Sequence, residues 1–407
     1  MSVVINSWKY YIESFQGLSK EIWWLSLVTF INRAGGMVVP FLSLYLTKDL
    51  GFTLAQVGWI MTCFGCGAFV GSWLGGQLTD RIGFYKVMIF SLVISGGLFL
   101  WLSTLQDLWW ICGGVFLVTA AADAFRPAAY VAAGAYSSPQ NYTRAITLIR
   151  LAINLGFSMG PAAGGFLIAS LGYASLFWID GATCVLAGIA ILVLLKPKLA
   201  ISRDKDEVGS PPKSIWSDHT YLIFLFGIFI FGLIFIQYFS VMPVYYHDAW
   251  DWSELHIGWL LSLNGVFIFL FEMPLIKYLD RDRFPIFKIM MVSSVLLAIS
   301  FFVLEWTSWS GILVVGMLFA TLAEMMCFPF SNTFALKRAG KGNEGKYMGY
   351  YTMAFSLAHI VGHNLGMNLT ASIGYFWLMN LIGVLALLSG VMFWWVKRQQ
   401  KKEADHI

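Results

Sequence analysis

Apolar runs of about 20 residues, the length a helix needs to cross a bilayer, recur along the chain between short polar breaks. The first set predicts spans near 22–47, 54–78, 86–105, 108–134, 143–170 and 172–195. A polar stretch follows, "KPKLAISRDKDEVGSPPKSIWSD" at 196–218, and then spans near 219–246, 255–278, 286–304, 309–336, 346–370 and 373–396. The expected fold is therefore an all-α membrane protein of twelve transmembrane helices in two six-helix bundles, 22–195 and 219–396. The pattern makes 196–218 a cytoplasmic linker and 397–407 a cytoplasmic tail. Residues 1–21 have no continuous apolar core or small-residue cleavage site and read as an interfacial segment rather than a signal peptide.

Composition agrees. Of 407 residues, 58% are hydrophobic and 12% charged, against about 25% charged in soluble domains. The mean hydropathy is +0.72. Basic residues orient the spans. Arg81, Lys86 and Arg144 fall in two loops of the first half; Lys196, Lys198, Arg203, Lys205 and Lys213 fall in the linker. Lys277, Arg281, Arg283 and Lys288, then Lys337, Arg338, Lys341 and Lys346, fall in loops of the second half, and Lys397, Arg398, Lys401 and Lys402 follow the last span. Apart from Lys48, the opposite loops are nearly bare, which places both termini in the cytoplasm of a bacterial-type inner membrane. The net charge of +4 follows from this bias and implies no nucleic-acid partner. All five cysteines lie in spans, and "CFGC" at 63–66 reads as small packing residues, with no metal or cofactor implied.

Two motifs carry mechanism. After the second span comes "GGQLTDRIGFYK", in which Gly75 and Gly76 allow close helix approach and Asp80 can face a helix N-terminus. An Asp-Arg pair recurs at Asp280-Arg281 after the eighth. The first motif resembles the Gly-x-x-x-Asp-Arg-x-Gly-Arg-Lys loop of the major facilitator superfamily. Gly76, Asp80, Arg81 and Gly83 match it, while Phe84 and Tyr85 stand where basic residues are usual. With Arg144, these residues form the expected gating motif. On the fifth span, "GFSMGPAAGG" sets Gly156, Gly160 and Gly164 four residues apart, with Pro161 and Gly165 beside them. It is similar to the signature of the superfamily's antiporter branches, and it also reads as a plain packing stripe.

Ionisable groups at bilayer depth normally face a partner or a watery path. Arg33 on the first span and Glu324 on the tenth have no partner on their own helix; Asp123 and Arg126 can pair at i, i+3. Arg150 and Asn154, Asp180, Gln237, Tyr238, Asn264, His359, His363 and Asn364 add polarity to other spans. Arg33, Arg126-Pro127 and "AEMMCFPF" around Glu324 resemble features of the proton-coupled oligopeptide transporters, which implies that Glu324 would hold a substrate's amino group. Thr29 and Asn32 replace that family's two first-span glutamates. The reading is a transporter rather than an enzyme, working by alternating access as a monomer on a small-molecule substrate and protons. Asn32, Arg33, Arg126, Gln237, Tyr238, Asn264 and Glu324 are expected to contact substrate, and Glu324, Asp123 or His359 to carry the proton. Export of amphipathic or drug-like molecules and transport of di/tripeptides or amino-acid-like solutes both remain open.

Overall fold

The computed structural model describes residues 11–198, 215–252, 254–280, 284–340 and 342–405, apart from some side chains within helices. Arg203, Lys205, Lys213, Arg281, Arg283 and Lys341 lie outside it, as do the side chains of Lys48, Pro161, His363 and Asn364. Among the described residues there is no strand. Eleven helical segments among the described residues are long and apolar enough to cross a membrane. The expected span at 346–370 is helical too, but its Gly, Tyr, His and Asn residues keep it out of that apolar set.

Contacts divide the chain into two units. One comprises the described parts of Gly17–Val208 with Ala339–Ser356; the other comprises those of Met1–Gln16, Gly209–Arg338 and Leu357–Ile407. The first unit begins with α1 (Lys20–Ala34) and the short α2 (Val38–Leu44), followed by a π-helical turn at Tyr45–Asp49. Then come α3 (Leu54–Ile82), α4 (Phe84–Leu102), α5 (Leu108–Asp123), α6 (Phe125–Tyr136), α7 (Tyr142–Leu171) and α8 (Ala174–Leu194). Thr53 and Gln56 form a reciprocal capping box that starts α3. Gly83 alone joins α3 to α4, at φ 88°, a left-handed conformation that glycine adopts without steric cost.

The second unit holds α9 (His219–Phe235), α10 (Gln237–Trp250), α11 (Glu254–Leu279), α12 (Ile286–Phe302), α13 (Gly311–Arg338) and the greater part of α14 (Glu344–Asp405). Asp218 caps α9 through Tyr221 N at 3.1 Å. Its carboxylate also takes Arg338 Nε at 2.9 Å and Nη2 at 2.7 Å, tying the end of α13 to the start of α9.

Three expected spans are interrupted. The first breaks at Gly35–Met37, the fourth at Ala124 and the seventh at Ile236. At the fourth, Pro127 has no N–H to bond the carbonyl of Asp123, which opens the helix where α5 ends. The last two spans form one helix broken at Gly374 (φ 78°, ψ 167°), and the expected tail continues it to Asp405.

Candidate functional site

The break in the first span organises the polar residues of the first unit. Gly35 and Gly36 close α1 through bonds to Ile31 O (3.0 Å) and Arg33 O (3.2 Å). Helix α2 then restarts with amides that have no acceptor in the helix. Asp180 of α8 supplies one from across the bundle: Met37 N donates to its Oδ1 at 2.9 Å and Val38 N to its Oδ2 at 3.0 Å. Asn32 Nδ2 adds a second tie to α8, through Cys184 Sγ at 3.3 Å.

On the other side of the break lies α7. A Cβ on Gly156 would stand 2.6 Å from Arg33 Cβ and 2.9 Å from Ala34 N, and one on Gly164 would meet Phe41 and Met37. A Cβ on Gly160 would lie 3.5 Å from the carbonyl oxygens of Ala34 and Gly36, and one on Gly165 would lie 3.9 Å from the edge of Phe41. The glycine stripe thus seats the fifth span directly on the broken first one. Arg33 stands at this contact with its guanidinium 5.5 Å from the Phe157 ring centroid. Its Nε is buried without a hydrogen bond, as is Asn154 Nδ2 on α7.

Asp123 and Arg126 form an ion pair at 2.9 Å across the break between α5 and α6. Both, with Tyr130 and Cys184, lie within electrostatic range of Arg33. The structure therefore brings Asn32, Arg33, Asp123 and Arg126 into one neighbourhood. It contains two guanidiniums and one carboxylate, so a positive charge is in excess.

The motif after the second span forms a latch. Asp80 accepts from Gly345 N at 2.7 Å and Lys346 N at 2.8 Å, capping the first turn of α14. A Cβ on Gly76 would be 2.8 Å from Gly349 Cα, so glycines on both helices permit the approach. These contacts explain why Ala339–Ser356 groups with the first unit although the sequence places it in the second half. Arg81 is exposed, and Arg144 bonds Asn141 Oδ1 close by in sequence.

In the second unit, Gln237 Nε2 donates to Leu233 O (2.8 Å) and Gly362 O (3.0 Å), and Tyr238 Oη donates to Ser300 O (3.3 Å) and Gly316 O (3.2 Å). Both side chains thus bind α10 to its neighbours. Asn264 Nδ2 donates to Thr321 Oγ1 at 2.8 Å, one helical turn from the buried Glu324. His359 is exposed. Glu272, not among the expected site residues, is fully buried on α11; its signal in the sequence is a carboxylate within the apolar run "FLFEMPL". Asp180 carries no expected role from the sequence either, although Gly35-Gly36 with Pro40 downstream marks a break that needs an outside acceptor.

A family profile described as Major Facilitator Superfamily matches residues 25–363 and 288–406. A Na(+), Li(+), K(+)/H(+) antiporter of Planococcus maritimus is 23% identical over 400 residues, covering 90% of this chain and 93% of its own. Quinolone resistance protein NorA of Staphylococcus aureus is 26% identical over 300 residues, covering 70% and 74%. The crystal structure of the human organic anion transporter MFSD10 (TETRAN) shares the fold at a TM-score of 0.74 and 16% identity, covering 92% of this chain and 99% of that one.

Proposed function

The chain belongs to the Major Facilitator Superfamily, whose matched members here are multi-pass membrane transporters and not enzymes, and from that premise we propose that it is a proton-coupled antiporter exporting small amphipathic molecules. One observation carries the proposal: the fifth-span glycines clamp α7 onto the break in the first span, with Arg33 at the contact. The antiporter and quinolone-resistance relatives support the same direction. The protein works by alternating access as a monomer in a bacterial inner membrane, with both termini cytoplasmic, an orientation supported by the basic loops.

Glu324 is the proton carrier in this reading. It is buried near the middle of α13, about 20 Å from either end at 1.5 Å per residue. Asp123 is the weaker candidate because Arg126 pairs with it one turn away. His359 remains a third.

A specific observation favours a second reading, transport of di/tripeptides or amino-acid-like solutes. Arg33 Nε and Asn154 Nδ2 are both buried donors without acceptors, beside an excess positive charge. An unmade buried bond costs about 1–3 kcal/mol, so an acidic group on a solute would be welcome there.

Proteoliposomes with an imposed pH gradient test both, by comparing a lipophilic cation with dipeptides. Glu324→Gln should abolish gradient-driven transport while substrate exchange partly survives. Full proton-driven transport in that variant, with loss in Asp123→Asn, would move the proton to the first unit.

A further inference from the structure

The export reading gives no task to Asp180, yet this carboxylate is 1% exposed and holds the restart of the first span. Its two donors are the residue preceding α2 and the first residue of α2. The same face of α8 lines the break further along: Thr183 packs against Gly35, and Cys184 accepts from Asn32. Among the described residues no Lys, Arg or His forms an ion pair with Asp180.

The titratable groups on the elements packed against α8 are few. Helix α1 carries Lys20, Glu21 and Arg33, α4 carries Tyr85 and Lys86, α7 carries Tyr142, Arg144 and Arg150, α2 carries none, and the π-helical turn after it sets Tyr45 against Phe177 of α8. Tyr85 donates to Leu195 O, about four helical turns along α8 from Asp180. Arg33 lies in the field of Cys184, the thiol one turn from Asp180 on the same helix. Asp180 therefore meets no charged partner in its burial, only the two backbone amides at the restart of the first span.

That balance is tied to geometry. Removing a carboxylate from water costs several kcal/mol, and charge-assisted bonds from the two amides offset it only while α2 stays in register. If proton binding favours one arrangement of α2, moving α2 must change proton binding in return.

We propose that Asp180 is a proton-binding switch on the first span. Ionised, it holds α2 against α8. When a proton from water forms an O–H bond on either carboxylate oxygen, that oxygen's amide bond is lost and the first turn of α2 is released. The proton returns to water when the amides re-engage. The use of this switch in transport rests on the proton-coupled reading above, but its existence does not.

The test uses the full-length protein in lipid nanodiscs, without substrate or gradient. Infrared difference spectra across pH report the protonated-carboxyl C=O band, and hydrogen exchange reports the amide of Val38, because Met37 N keeps a second acceptor in Gly35 O at 2.7 Å. In the wild type the band appears together with at least a tenfold rise in exchange at the Val38 amide, after correction for intrinsic rates. Asp180→Asn, which keeps a single acceptor and cannot titrate, lacks that band, and its Val38 exchange no longer changes with pH after the same correction. Val38→Pro, a residue well suited to the first position of a helix, withdraws one donor and moves the midpoint of the band. An unchanged band in Asp180→Asn, or a wild-type Val38 amide that stays protected through the titration, overturns the switch. Should Asp180→Asn fail to fold, an unmoved midpoint in Val38→Pro overturns it instead. Because neither readout involves transport, a failure of the export reading leaves both results standing. If the switch is found but Asp180→Asn still transports at the full pH-driven rate, its part in coupling is refuted.

Discussion

Replacing Asp80 by Asn changes one atom and should unfasten the latch at the start of α14. The carboxylate accepts from Gly345 N at 2.7 Å and Lys346 N at 2.8 Å. A hydrogen bond to a charged group is worth about 1.5–3 kcal/mol net, roughly twice a neutral one. The amide side chain keeps one acceptor, loses the other and turns an NH2 toward an N–H. It also removes a negative charge from a helix N-terminus, worth about 0.3–1 kcal/mol. Asp80 is only partly buried, so solvent screening trims the sum toward about 2–4 kcal/mol. At 1.36 kcal/mol per tenfold, the open form should gain about 30- to 1,000-fold. Hydrogen exchange at residues 345 and 346 measures this directly, with Asp80→Ala as a stronger variant that removes both acceptors. Transport should fall in the same order while the inserted, folded amount of protein stays constant. Equal protection in the wild type and Asp80→Asn, or a larger loss in Asn than in Ala, would show that the cap does not hold the latch.

Gly156→Val should lower the melting temperature of the purified protein and weaken transport more than Gly156→Ala does. Its Cβ alone would stand 2.6 Å from Arg33 Cβ, and overpacking of this kind costs about 1–3 kcal/mol; wild-type melting in both variants would refute the α1–α7 contact. Arg338→Ala should destabilise by about 2–3 kcal/mol, because it strands the buried Asp218, while Glu403→Ala should cost less than about 1 kcal/mol from a site 44% exposed. Equal losses in thermal unfolding would mean that Asp218 does not depend on its partner.

The apolar runs alone determined that the chain is helical, where most helices lie and that they come in two sets. Insertion depends on the hydrophobicity of each segment by itself, which is a local property. The glycine stripe of the fifth span and the Asp-Arg turn after the second were legible for the same reason. The tertiary structure decided where those helices break and what holds the breaks. The expected first span, 22–47, reads as continuous because Gly35 and Gly36 do not lower its apolarity enough to end it; the acceptor for the restarted helix is Asp180, 143 positions away for Met37. Asp80 likewise finds its donors 265 and 266 residues on, and draws Ala339–Ser356 into the first unit. Tyr238 bonds the carbonyls of Ser300 and Gly316, on two other helical segments. In each case a polar group must find its complement inside a medium that offers no water. Which distant residue supplies that complement depends on how the helices pack, and the order of residues along any one of them does not contain it.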